Sequence, residues 1–507
     1  MTFSVNFQTR DFATPITLGQ KVTPLKMSWS VYGGPDAASL RLDGPALGLE
    51  ELTKLLRSPV TLTDPTGQPT WWGLVSQVTI YLENTQIRVS LDTLFNSVKV
   101  SYSFVSPDNR LGDHQFTTPA ADLASQQDYG TKEKVLHQFQ IDDDFAAGLQ
   151  QTFLAQHAWP RSLLSQRLRA GAAYALINCE GWFKTLAWQN FQNHHGFYAN
   201  YGPSPGAHVF GYTNIRLPAQ RITPGINCQL KYLYFQIRKQ ASPTSNLIAR
   251  CYSESGGVPN TILGTSSSVS GAAQSATSYQ WVKFTFPSPI SLTAGVSYWF
   301  TVSSTTTNTT NYYLIRTDEN AGYFQDNHYA RYYNGSAWVL IPNITQPATP
   351  PHLIFRAVTL QDTADQLQTA INAADQFLPR VKIPQTGVLT SPYRYDQINC
   401  LGEIKRLMDL GTSNHRRILA TVSHQRHLEF YEQPDPDLPT CYMNQNSRFQ
   451  TFQGALLKPH QPPVGQFVRF SGSNRITMPF DKARVPTCFI EGAEYNPATG
   501  RVKVRTD

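Results

Sequence analysis

The sequence predicts a mainly β (α+β) protein, and three observations predict it. Apolar residues alternate with polar ones over many short runs, the period of a half-buried strand. Gly (32), Pro (34) and aromatic residues (12 %) are frequent, which favours twisted sheets joined by many turns. Helical spacing is confined to a few short stretches. With 507 residues, 40 % hydrophobic and 15 % charged, the chain has material for several packed cores.

The N-terminal stretch, 1–110, reads as a small β-barrel. Leu25, Met27, Trp29 and Val31 occupy every second position, and Gly33-Gly34-Pro35 reads as the turn that follows. Ala38, Leu40 and Leu42 form the next strand. Leu52, Leu55 and Leu56 predict one short helix. Val60–Leu62, then Val75, Val78 and Ile80, then Ile87, Val89 and Leu91, then Val98, Val100, Tyr102 and Phe104 continue the series.

Residues 111–200 contain a helix and complete the barrels. Phe145, Leu149, Phe153 and Leu154 are helically spaced, and Pro160 ends the run. Asp142, Asp143 and Asp144 stand at its start, where negative charge suits the dipole; they lack the spacing of a calcium loop. Tyr174, Leu176 and Cys179 give one further strand, before an aromatic segment with Trp182, Phe183, Trp188 and Phe191.

Residues 201–360 read as a separate module, entered through a Gly/Pro-rich linker over 200–207. It is rich in Ser, Thr and Asn and poor in charge. Its strands are marked by Leu230–Tyr234, Leu247–Tyr252, Trp281–Phe286, Tyr298–Phe300, Tyr312–Leu314, Trp338–Leu340 and Leu353–Phe355. Short strands at this turn-punctuated spacing predict a β-sandwich of the jelly-roll type. The chain then returns to mixed structure in an α/β segment, 361–445. One helix carries Ala364, Leu367, Ile371 and Ala374, and a second carries Ile398, Leu401, Ile404, Leu407 and Met408 and stops at Gly411. Ile418–Val422 and Leu428–Tyr431 form a hairpin. A β segment, 446–507, ends in a hairpin through Tyr495–Gly500. The organisation is scaffold, insert, scaffold.

A net charge of +7 spread over this length is no nucleic-acid stripe. The six cysteines form no CxxC pair, so a zinc site is not expected. They read as buried thiols, with a Cys228–Cys251 disulfide left open. Met1-Thr2-Phe3-Ser4-Val5 reads as a strand rather than a secretory leader, and no apolar run reaches the length of a membrane span.

Several phrases outside the insert resemble the central hub proteins of phage tails. They are Ala38–Gly44 after Trp29-Ser30, Trp71–Val75, Leu91–Asn96, Asp128–Glu133, Cys179–Trp188, Arg417–Val422 before Leu428–Pro434, Gly465–Arg469 and Phe489–Tyr495. The resemblance implies β-barrel domains of the tail-tube type. It also implies a ring, usually a homotrimer, that joins the tail tube or distal-tail proteins to a spike or fibre. The expected location is the tail tip of the virion, assembled in the host cytoplasm. The insert resembles the choice-of-anchor domains, carried by Thr223-Pro224-Gly225, by Pro287–Phe300 with its Leu-Thr-Ala-Gly-x-x-Tyr-Trp phrase, and by Gly335–Trp338. That likeness implies a sandwich akin to carbohydrate-binding modules and an outward contact with host glycans.

Enzymatic chemistry is not expected. No GxSxG, HExxH, P-loop or GxGxxG stands in a suitable strand–helix context, and 35 acidic residues supply carboxylate pairs by chance alone. His415, His424 and His427 fall within thirteen residues but lack metal-ligand spacing; His424 and His427 read as a polar hairpin turn and its flank, and Asp435-Pro436-Asp437 as a solvated turn. No cofactor or metal is expected. Trp281, Phe284, Tyr298, Trp299 and Phe300 read as core. Tyr312, Tyr313, Tyr332, Tyr333 and Trp338 lie near turns and are the candidate carbohydrate-binding residues, because flat exposed aromatic faces stack on sugar rings. The rival expectations are a free carbohydrate-binding or carbohydrate-cleaving protein built on the sandwich, and a neighbouring distal-tail protein.

Overall fold

The computed structural model describes the chain except residues 1–2, 45–47, 103–114, 140, 167–170, 192–204, 213–216, 305–308, 319–328, 342–350, 392–397, 436–440, 444–448, 452–456, 459–460, 471–486 and 507. The protein is mainly β, with several sheets and few helices. It forms two compact units. One comprises 1–191, 364–388 and 397–507. The other comprises 192–363 together with 389–396.

In the first unit the hydrophobic alternation becomes a long antiparallel ladder. Its order is Pro15–Ile16, Ser4–Gln8, Pro59–Thr63, Pro69–Leu82, Tyr174–Glu180, Tyr32–Asp43, Lys21–Ser30 and Thr487–Asn496. The ladder is open among the described residues. The expected closed barrels are therefore corrected to an extended sheet with further strands attached, and a separate four-stranded sheet on Ser97–Tyr102. The physical reason lies in Pro69–Leu82. It is long enough to pair two strands end to end on one side, Pro59–Thr63 and then Thr85–Ser90, so the sheet branches rather than curling round.

Ala38, Leu40 and Leu42 all face the interior, as their spacing requires. Trp71 is fully buried and donates Nε1–H to the Ser28 carbonyl at 3.2 Å, while its neighbour Trp72, on the other face, donates to the Val422 carbonyl at 2.8 Å. The expected Gly33-Gly34-Pro35 turn comes earlier. The chain reverses between Ser30 and Gly34, which are paired, and Pro35 already lies opposite Trp29. Gly33 has φ +101°, and a Cβ there would fall 2.2 Å from the Phe183 Cβ, so the turn needs glycine for both conformation and space.

Asp142 caps the helix Asp143–His157 by accepting from the Phe145 N–H at 2.8 Å. The helices Thr363–Asn372 and Cys400–Leu410 bury Leu367, Ile371, Ile404, Leu407 and Met408 in the same large core as the sheet. Gly411 ends the second one at φ +74°, where a Cβ would meet the Arg416 carbonyl oxygen at 2.4 Å.

The second unit is a two-sheet sandwich. Its seven-stranded sheet runs Pro205–Phe210, Tyr312–Asp318, Cys228–Gln240, Phe355–Asp362 and Leu389–Thr390, with Gln280–Leu292 on the other side of the central strand and His352–Leu353 on Tyr312–Asp318. Its six-stranded sheet runs Val258–Thr265, Leu247–Ser255, Tyr298–Ser304, Leu217–Ile222, Ala330–Tyr333 and Trp338–Leu340. Phe235, Phe284, Phe300 and Phe355 interdigitate between them. Each such ring contributes roughly 1.5–3 kcal/mol by its burial. The expected linker over 200–207 falls partly outside the described residues, and its described end is strand. Among the described residues no helix is long and apolar enough to cross a membrane.

Candidate functional site

A strand has one side chain per face at alternate positions, so neighbours in sequence point to opposite sides of a sheet. That rule divides the five candidate aromatics. Tyr313 is fully buried in the sandwich, 5.5 Å from the Phe210 ring, and donates its hydroxyl to the Ser245 carbonyl at 2.8 Å. No sugar reaches its face, and it is corrected from a binding to a core residue. Tyr332 packs against the same interior, 5.2 Å from the His208 ring. Tyr312 lies on the outward face of the seven-stranded sheet, edge to face with Tyr212 at 5.3 Å.

Tyr333 and Trp338 alone form a pair. They face each other across a hairpin, ring centroids 5.4 Å apart, on the outward face of the six-stranded sheet. Asn334 shapes the turn. Its Oδ1 accepts from the Ser336 and Ala337 N–H groups at 2.9 and 2.8 Å, and Gly335 takes φ +105°. Arg331, two residues back on the same face, donates Nη1–H to the Trp338 carbonyl at 3.2 Å, while its Nε is buried without a partner.

Beside this pair lies a group that the spacing did not reveal. Arg221 grips Glu254 through two N–H···O bonds, and the pairing pushes the Arg221 pKa up. Glu254 also accepts from the Trp299 indole at 3.1 Å. Tyr329 closes the cluster, 5.5 Å from the Trp299 ring, with the Arg221 and Arg331 guanidinium carbons 5.5 and 5.4 Å from its centroid. Trp299 is buried as expected, yet on the side of the sheet away from the core that takes Tyr298 and Phe300. Trp281, also expected in the core, is half-buried on an outward face beneath Arg356.

The remaining candidates are polar structure. His424 is exposed at its hairpin turn, edge-on to Trp72 at 6.1 Å. Asp435 pairs with Arg416 at 2.6 Å. Among the described residues no group of His, Cys, Asp and Glu could hold a metal ion. Cys179, Cys228, Cys251 and Cys400 are free and buried, so the Cys228–Cys251 disulfide left open by the sequence is not formed.

In the first unit one strand stands apart. Ser162–Gln166 pairs with Thr85–Ser90 and, among the described residues, with nothing else. All five of its residues are exposed, including Leu163 at 59 % and Leu164 at 74 %. These two leucines are adjacent, so they lie on opposite faces of the strand. No alternation marks this strand in the sequence, which predicts none here.

No family model and no curated protein matches the chain. Among solved structures, the N-terminal CBM22-1–CBM22-2 tandem domain from Paenibacillus barcinonensis Xyn10C aligns with 59 % of this chain and 98 % of its own, at 10 % identity and a TM-score of 0.16. The mosquito-larvicidal Cry4Aa toxin from Bacillus thuringiensis aligns over 58 % of this chain and 51 % of its own, at 7 % identity and a TM-score of 0.14. The infectious bursal disease virus VP2 subviral particle aligns over 68 % and 80 %, at 8 % identity and a TM-score of 0.13. Likenesses this slight carry no argument about function.

Proposed function

We propose that the chain is a non-enzymatic assembly subunit of a phage tail tip. In this reading it is the central hub, built into a ring, usually a trimer, between the tail tube and the spike or fibre, with the sandwich directed to host glycans. The observation that carries it is the strand Ser162–Gln166, with an unpaired edge among the described residues and Leu163 and Leu164 exposed on its two faces. Such an edge invites pairing with another chain, and a protein that works as a monomer blunts it with charge, proline or a bulge. A ring covers it, because each subunit presents one patch to the next. The hub-like phrases along the first unit support the same reading.

The test is negative-stain microscopy of particles carrying a labelled copy of the chain. Label at the tail tip, around a ring of three subunits, is the expected result. Label along the tube, on a capsid, or on no particle overturns the reading. A six-fold ring assigns the chain to the neighbouring distal-tail position instead.

A further inference from the structure

The outward face of the seven-stranded sheet interleaves cations with aromatic rings. On Cys228–Gln240 the outward positions are Tyr232, Tyr234, Gln236 and Arg238, with Trp281, Lys283 and Thr285 beside them on one neighbour and Arg356 on the other. Lys283, Tyr234 and Arg356 lie side by side across three strands. The Lys283 Nζ is 4.0 Å from the Tyr232 ring centroid, and the Arg356 guanidinium carbon is 4.1 Å from that of Trp281. Arg238 and Arg316 flank Tyr279 at 5.4 and 5.6 Å.

These stacks hold the cations in place, and two of them carry charge that no carboxylate pairs with among the described residues. Lys283 and Arg356 are exposed and form no ion pair among the described residues. The outward positions of this stretch carry no carboxylate; Asp318 and Asp362 stand only at the last positions of their strands. The whole unit, 192–363 and 389–396, holds eleven Lys and Arg against six Asp and Glu.

We infer that this face binds an anionic polysaccharide whose sugar units carry carboxylates. The inference deepens the glycan contact in the proposed function and does not depend on ring assembly. The Arg356 guanidinium, held 4.1 Å from the centre of the indole ring, carries a planar fork of N–H donors, the shape that grips a planar carboxylate with two bonds. The hydroxyls of Tyr232 and Tyr234 around it suit a hydroxyl-rich chain. Single-stranded nucleic acid fits less well, because it binds by stacking bases on open ring faces, and here cations cap the faces of Tyr232, Tyr279 and Trp281.

The experiment measures binding of the full-length protein to polygalacturonate, with dextran, poly-L-glutamate and oligothymidylate as comparison polymers. The expected result is binding to polygalacturonate that weakens with salt, little binding to dextran, and weaker binding to the other two polyanions. The double variant Lys283→Ala/Arg356→Ala is expected to lose at least tenfold in affinity at an unchanged melting temperature. Absence of polygalacturonate binding, wild-type binding by the variant, or tighter binding of oligothymidylate or poly-L-glutamate overturns the inference. Light scattering on the same samples reports the ring separately, so loss of assembly and loss of glycan binding are told apart.

Discussion

The Arg426 guanidinium carbon lies 3.6 Å from the centroid of the Phe12 ring, and both residues sit in the left-handed backbone region, at φ +64° and +65°. Arg57, at φ +67°, joins them with its guanidinium 4.7 Å from the Phe377 ring. Three of the strained non-glycine positions thus converge on one stack. Arg57 is only 7 % exposed, and burial, then the neighbouring Arg10 and Arg426 charges, push its pKa down to about 10. The stack holds the backbone where glycine would otherwise be favoured.

That relationship predicts an ordering of two variants. Arg426→Ala loses the stack and keeps the strain, and is expected to cost about 1–3 kcal/mol in denaturant unfolding. Arg426→Gly loses the same stack but relieves the backbone, so its loss is expected to be smaller by about 1 kcal/mol. Equal losses would show that the left-handed conformation carries no strain.

The Asp64 side chain accepts from Thr66 and Gln68 and pairs with Lys458 at 2.7 Å, and these contacts, Lys458 first, hold its pKa far below the usual carboxylate range. A folded-state pKa depressed in this way stabilises at neutral pH and loses that contribution as pH falls below about 4. Urea midpoints measured from pH 6 to pH 2 are expected to fall more steeply in the wild type than in Asp64→Asn, and parallel curves would refute this.

In the sandwich, burial pushes the His208 pKa down to about 4, and its Nε2 has no partner. The unfolded chain binds the proton first, near pH 6.5, so folded stability is full above that value and declines as pH falls toward 4. The loss by pH 4 is about 3 kcal/mol. His208→Leu is expected to flatten this limb of the melting curve. A variant that tracks the wild type across pH 7 to 4 would place the titration elsewhere.

Burial pushes the Cys228 thiol up to about 11 and those of Cys251 and Cys400 up to about 12. Thiols held protonated and out of solvent react slowly. Peptide mapping after alkylation is expected to find these three and Cys179 unlabelled in the native protein and labelled in denaturant. Native labelling of any of them would mean that its core opens.

Much of the fold is legible in the sequence because strand parity is local. Leu40 and Leu42 announce their buried face, and Asp142 announces its cap. Open sheet against closed barrel is not local, since it depends on which partners Pro69–Leu82 takes on each side. The candidate site was half legible. Parity already forbids Tyr312 and Tyr313, or Tyr332 and Tyr333, from sharing a face, and grouping them by nearness to turns ignored it. The Arg221–Glu254 pair, 33 residues apart in sequence, buries Trp299 from the outward side and left no periodic mark. Ser162–Gln166 leaves no alternation in the sequence because its leucines are adjacent, one on each face of an exposed strand.

Light scattering of the purified protein tests that strand as an assembly edge most directly. The wild type is expected at three times the 56.8 kDa of the single chain, and Leu163→Glu/Leu164→Glu at the mass of one chain with an unchanged melting temperature. A wild type that stays monomeric at every concentration, or a double variant that assembles as the wild type does, would contradict it.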